Sequence, residues 1–221
     1  MTMSSGITAQ LATIPGREAM CLKTVESLLP QVRRVRVALN NYKEIPSWLN
    51  IKGVDAFLRN NERGDAEKFY DLPKGYIFTC DDDLIYPPDY VSSTMSAFDA
   101  YGAVILTYHG RDYPEKPILS YYGDRLRAYR CLGNVLIDSY VDVGGSGVMA
   151  WHTGVFTMDY SKIETSNMGD IWVAKMAFAQ KVPIIVLGHK EGWILDQFPT
   201  ETIWDKYCHD DQVQTDLYNS F

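Results

Sequence analysis

Only four cysteines occur in 221 residues, widely spaced and without a CxxC pair, which speaks against a zinc ribbon or a disulfide framework. Cys21, Cys80, Cys131 and Cys208 read as free thiols of a reducing compartment. No apolar window reaches the length of a membrane span, and Met1 to Gly6 lacks the basic start and apolar stretch of a signal peptide. A cytoplasmic protein is expected. Positive charge is also scarce. With 21 Lys and Arg against 28 Asp and Glu, the formal charge of −7 argues against broad binding to nucleic acid or acidic membranes. Neither GxGxxG nor GxxxxGK[ST] is found, so the dinucleotide-binding and P-loop signatures are both missing. No repeat, low-complexity tract or linker divides the chain, and one domain over residues 1–221 is expected.

What the chain has is a hydrophobic fraction of 46%, enough for one sizeable core. Its 15 tyrosines exceed what a minimal core requires and suit a concave site against which rings or sugars stack.

Ile7 to Ile14 alternates and runs into Pro15-Gly16, a strand entering a loop. Apolar residues at helical spacing predict a helix from Arg17 to Leu29, closed by Pro30. Val32 to Leu39, Val54 to Leu58 and Tyr76 to Cys80 read as strands, and Asp89 to Tyr101 as a helix. Ala103 to Tyr108 and Pro183 to Leu187 are further strands, with a strongly apolar helix from Met168 to Gln180 between them. Residues 110–142 read as irregular, Gly144-Gly145-Ser146-Gly147 as a flexible turn, and the segment after Trp193 as a polar, aromatic tail. Strand–helix alternation through the first half predicts an α/β fold with a mostly parallel central sheet flanked by helices. The second half is expected to build a pocket wall.

Three consecutive aspartates, Asp81-Asp82-Asp83, follow directly on the apolar strand that ends at Cys80. Like charges at a strand's carboxyl end repel and resist desolvation unless something positive sits among them. Mg²⁺ and Mn²⁺ take oxygen ligands and are held by one or two carboxylates plus substrate phosphates. The carboxyl ends of strands are also where open α/β sheets bind ligands. A metal–phosphate site is therefore expected in preference to a solvated acidic turn.

The loops after neighbouring strands, Thr13 to Arg17 and Asn60 to Lys68, are placed to receive a nucleotide, which nominates Thr13, Pro15, Arg17 and Asn61. Asp65 and Lys68 read two ways. They either start a helix, Asp65 capping and Lys68 solvated, or put Asp65 on a base or ribose and Lys68 near a phosphate. Asp170 either complements a helix dipole or serves as a general base. His189 follows the last strand, as an ordinary surface residue or as part of a metal shell. Trp151-His152 either faces an acceptor or is buried, and Arg125, Arg127 and Arg130 either line a solvated loop or form a local basic patch.

In order, these motifs resemble a nucleotide-sugar glycosyltransferase of the GT-A fold, close to the family 2 type. The resemblance is carried by Thr13-Ile14-Pro15-Gly16-Arg17, Gly64-Asp65-Ala66-Glu67-Lys68, Thr79 to Tyr90 and Met168-Gly169-Asp170-Ile171-Trp172. It implies a nucleotide-sugar-binding half over about residues 1–109 and an acceptor half over about 110–221. It further implies that Asp81 and Asp83 form a DxD motif holding Mn²⁺ or Mg²⁺, with Asp82 near the donor and His189 as a late metal ligand. Asp170 matches the base of inverting members, although Gly169 stands where many carry Glu. The implied reaction moves a sugar from a UDP-sugar to an acceptor hydroxyl. The acceptor classes left open are a glycan, a lipid-linked glycan, a protein and a modified DNA base. Alternatives are a nucleotidyltransferase of related fold and a non-catalytic nucleotide-sugar or carbohydrate-binding module. A haloacid-dehalogenase-type phosphatase fits poorly, because Ile85 stands where that pattern wants Thr or Val.

Overall fold

The structure is a computed structural model that describes residues 6–199 and 207–221. The opening residues 1–5 and part of the expected tail, 200–206, lie outside the described residues. The first half runs β1 (Ile7–Thr13), α1 (Glu18–Leu28), β2 (Arg34–Asn40), β3 (Val54–Arg59), β4 (Tyr76–Asp81), β5 (Leu84–Ile85) and α2 (Tyr90–Tyr101). Then come β6 (Ile105–Thr107), β7 (Gly110–Asp112), β8 (Arg127–Tyr129), β9 (Ser139–Val141), β10 (Val143–Gly144) and β11 (Val148–His152). The chain continues through α3 (Gly169–Gln180), β12 (Ile184–Val186), β13 (Leu195–Asp196) and a last described helix, α4 (Gln212–Asn219).

An eight-stranded sheet in the order β3-β2-β1-β4-β11-β6-β12-β9 forms the centre. Neighbours from β3 to β4 are parallel, as are β6 and β12, whereas β11 runs antiparallel between β4 and β6. A strand from the second half of the chain thus lies mid-sheet, and both halves share one hydrogen-bonded layer.

Period-two alternation sorts the strand residues between two cores. Val35, Val37, Leu39, Phe78 and Cys80 face α1 and α2, joining Val25, Leu28, Tyr90 and Phe98. Ile77, Met149 and Trp151 face α3, whose Ile171, Val173, Ala174 and Ala177 are buried on that side. Helix α3 is apolar nearly all round because β10 and α4 both pack on it.

Two expectations need correction. The 110–142 stretch is not wholly irregular: β7, β8 and β10 form a second sheet, and β9 extends the first. Nor is Asp211 part of a loose tail. Its Oδ2 accepts from Ser120 Oγ at 2.7 Å and from the Tyr122 N–H at 2.6 Å. Thr215 Oγ1 accepts from the Tyr121 N–H at 2.9 Å, so α4 fixes the tyrosine-rich segment in place.

Candidate functional site

The strand ends at Asp81, and the turn that follows carries Asp82 and Asp83 to Arg17, away from Asp81's partner. Asp81, the last residue of β4, faces the α3 side, where its Oδ1 accepts from Lys68 Nζ at 2.6 Å. Asp82 turns toward α1. Its Oδ1 accepts from Arg17 Nη1 at 2.9 Å, and the same nitrogen reaches Asp83 Oδ2 at 3.3 Å. The side chains are 45%, 6% and 21% exposed for Asp81, Asp82 and Asp83, so the outer two are open to a ligand and the middle one is buried. Burial, and then the charges of Asp81 and Asp82, push the Asp83 carboxyl up to about 7.

Lys68 lies in a 3₁₀ turn, Gly64–Phe69, and is 2% exposed rather than solvated. Asp81, Asp65 and Asp170 together hold its ammonium above the usual lysine value despite the opposing effect of burial. Asp65 is itself pushed up to about 7, chiefly by burial. Its carboxylate fills the space a side chain on Gly169 would need, since a Cβ there would lie 2.7 Å from Asp65 Oδ2. Beside Lys68, Glu67 is fully buried and accepts from Arg59 Nε at 2.7 Å and Tyr160 Oη at 2.6 Å. Asn61, in the left-handed region at φ 60°, accepts through Oδ1 from Asn40 Nδ2 at 3.0 Å. Thr13 is buried at the end of β1, and Pro15 is exposed at the tip of the following loop.

Asp170 stands in the first turn of α3, where its Oδ1 accepts from the Ser146 N–H at 2.7 Å. Arg111 Nη1 lies 3.9 Å from the other oxygen. The glycines around Ser146 are close-packed, not a flexible turn. A Cβ on Gly147 would fall 1.9 Å from Asp81 Oδ2, and one on Gly145 would fall 2.7 Å from the His109 Cβ. Tyr86 ties the two walls together: its hydroxyl accepts from the Asp81 N–H at 2.9 Å and donates to the Gly147 carbonyl. The chain between β10 and β11 therefore spans from Asp81 to Asp170.

His189 does not join this group. Its Nδ1 lies 2.8 Å from the Leu187 carbonyl and its Nε2 3.2 Å from that of Arg130, so each ring nitrogen faces a backbone carbonyl oxygen, one of which accepts the N–H of a neutral imidazole. Trp151 is buried in the second core and His152 packs edge-on against Tyr76. Among the described residues, no three His, Cys, Asp or Glu side chains converge closely enough to hold a metal unaided. A cavity of about 690 Å³ lies between α1, α2 and Trp193, but none of the three aspartates lines it.

Sequence reasoning missed Arg111, His109, Ser146 and Tyr86. Burial and the Arg111 charge push the His109 imidazole down to about 3, so it stands neutral beside the cluster. The available signal was the density of small residues at 144–147, which marks a close backbone approach as readily as a turn.

No family model matches this sequence, and no curated protein matches it. In three dimensions it is similar to the crystal structure of S. aureus TarS 1-349, a glycosyltransferase. The two share 11% identity at a TM-score of 0.50, over 84% of this chain and 59% of that one. What the two have in common is the fold, in this chain a mixed α/β one with a large, mostly parallel central sheet flanked by helices. The present chain spans 59% of the TarS structure's length, and at this identity the likeness extends to architecture alone. Among the described residues no helix is long and apolar enough to cross a membrane.

Proposed function

We propose that the chain is a metal-dependent glycosyltransferase that moves a sugar from a nucleoside-diphosphate sugar, of the UDP class, to an acceptor hydroxyl with inversion. One observation carries this reading: Asp81 at a strand's carboxyl end and Asp170 at a helix start flank one close-packed glycine segment, with a second solvent-reachable aspartate, Asp83, two residues beyond Asp81, in a glycosyltransferase-like fold.

The donor set suits a hard divalent cation. All the candidate ligands are carboxylate oxygens, Asp82 Oδ2 is buried without a hydrogen bond, and Asp83 carries more negative surroundings than Arg17 offsets. Mg²⁺ and Mn²⁺ complete their shells with substrate phosphates, so one or two carboxylates suffice to hold them. Asp81 and Asp83 would hold the ion, and when bound it would neutralise charge building on the departing diphosphate. Arg17 and Lys68 keep the aspartates in place, and the exposed loop at Pro15 with the Asn61 turn forms the nucleotide side. Asp170 takes the proton from the acceptor hydroxyl. The Ser146 N–H fixes its carboxylate, leaving Oδ2 to face the acceptor.

The test is thermal unfolding with a panel of nucleoside diphosphates and nucleotide sugars, each with and without Mn²⁺. A ligand that binds only the folded form raises Tm. A metal-dependent rise with UDP and one UDP-sugar supports the reading, and the absence of any nucleotide-induced shift removes it.

A further inference from the structure

The pairing of β7 with β10 sets Arg111 opposite Val143 and brings its guanidinium beside the start of α3. Its surroundings differ from those of the other cations at the site. Lys68 and Arg17 each make a direct ion pair with one or two of the three aspartates. Arg111 instead lies against aromatic rings, 5.4 Å from the centre of Tyr121 and 5.7 Å from that of Tyr122. Its side chain is only 13% exposed, yet it donates a single hydrogen bond to a described residue, Nη1 to Tyr121 Oη at 3.3 Å. At 3.9 Å from Arg111, the Asp170 carboxylate is beyond hydrogen-bonding distance, and its Oδ1 is already engaged by Ser146.

A guanidinium has five N–H donors in a planar fork that matches carboxylate and phosphate oxygens. One that is largely desolvated, with most donors idle, is poised for an anion. We propose that Arg111 is the anion-recognition residue of the acceptor subsite, taking a phosphate or carboxylate of an acceptor whose reacting hydroxyl lies at Asp170. The half-buried Tyr122 ring, its N–H held by Asp211, provides a wall against which the body of such an acceptor lies, while the buried Tyr121 ring backs the guanidinium. This assignment rests on the glycosyltransferase reading for the word acceptor, whereas the anion site itself stands on Arg111 alone.

The experiment is a titration of ¹⁵N-labelled protein with glycerol 1-phosphate, glycerate and neutral glycerol, without donor and then with saturating UDP and Mn²⁺. One or both anions, but not glycerol, should shift the Ser146 and Asp170 amide signals, and the stronger of the two names the anion class. Arg111→Gln should weaken that binding by about tenfold or more, equivalent to about 1.4 kcal/mol. Arg111→Lys should recover part of it. UDP with Mn²⁺ should leave the probe's Kd within about twofold, because the donor diphosphate lies at the aspartates. No anion-dependent shift in the unsubstituted protein overturns the proposal without recourse to any variant. Displacement of the probe by UDP also overturns it, by giving Arg111 to the donor. Anion binding that persists while no nucleotide binds removes the glycosyltransferase reading and leaves Arg111 as an anion site, so the two failures are distinguishable.

Discussion

The Asp81 carboxylate occupies the space in which a side chain at position 147 would begin: a Cβ on Gly147 would lie 1.9 Å from Asp81 Oδ2 and 2.9 Å from Oδ1. Neither partner is free to yield. Asp81 is held from below by Lys68 Nζ at 2.6 Å, and the Gly147 carbonyl is held by the buried Tyr86 hydroxyl. Gly147→Ala therefore forces the carboxylate off Lys68 or lifts the start of β11. Overpacking of this kind costs about 1–3 kcal/mol, and in a chain of this size each kcal/mol lowers Tm by roughly 2–4 °C. We expect that loss together with at least an approximately tenfold weaker metal-dependent affinity for UDP. Calorimetric titration checks it, with Gly133→Ala as a control because a Cβ there meets its nearest atom at an ordinary 3.5 Å. Unchanged affinity in Gly147→Ala would mean that the position of Asp81 is immaterial to the ligand.

Asp83→Asn should stabilise the metal-free protein at neutral and alkaline pH. Burial and two neighbouring carboxylates push the Asp83 carboxyl up to about 7, against about 3.9 in an unfolded chain. The folded state then binds the proton more tightly, so this group's contribution to stability falls as pH rises between those values. Asparagine abolishes that term. In metal-free buffer the variant should melt above the parent at pH 8, and the gap should close as pH falls toward 4. Asp65, also pushed up to about 7, acts in the same direction, so part of the slope remains in the variant. The same substitution should abolish Mn²⁺-dependent nucleotide binding. A variant that melts lower than the parent at pH 8 would show that the Arg17 contact outweighs the desolvation of Asp83.

Glu67 joins the turn that carries Lys68 to the 160–163 segment, accepting from Arg59 Nε, from Tyr160 Oη and, at 3.1 Å, from the Arg63 N–H. Removing one member of a buried ion pair costs about 3–5 kcal/mol because the other is left without a partner. The Arg59 side chain is 20% exposed and can recover some hydration, which places Glu67→Ala near the lower end of that range. Tyr160→Phe deletes one hydrogen bond and should cost about 1 kcal/mol. Urea unfolding separates the two. Equal losses would mean that the carboxylate is anchored by the tyrosine and gains nothing from Arg59.

The parts of this site that were legible in the sequence are those set by local pattern. Alternation gave β1 and β2, a short apolar and aromatic run gave β4, the helical spacing gave α1 and α3, and the triple aspartate marks its own strand end. What was not legible depends on pairing between distant segments. Nothing near Lys68 shows that Asp81 will bury it, and nothing near Gly147 shows that β11 will insert antiparallel beside β4. Arg111 was hidden in a stretch that looked irregular because β7 and β10 are too short to show a period. His189 looked available only because the carbonyls that engage its ring come from the chain's own backbone at 130 and 187, which carry no sequence signature.

Asp170→Asn separates the two roles a carboxylate at the start of α3 can have. Asparagine keeps the oxygen that accepts from the Ser146 N–H at 2.7 Å, so the glycine segment and the Asp81 wall should stay in place. As a partner of the helix dipole, the charge is worth about 0.3–1 kcal/mol, and its loss would appear as a small drop in Tm with no effect on rate. As a general base, its loss removes about 10²–10⁴-fold in the chemical step. We expect the second result: UDP and Mn²⁺ affinity within about twofold of the parent, and single-turnover sugar transfer, to an acceptor or to water, reduced by that larger factor. Asp170→Ala, which also abandons Ser146, should lose donor affinity as well, because the segment that packs against Asp81 is then released. Transfer that survives in Asp170→Asn would take the base away from Asp170 and leave it as a strut between α3 and the 144–147 segment.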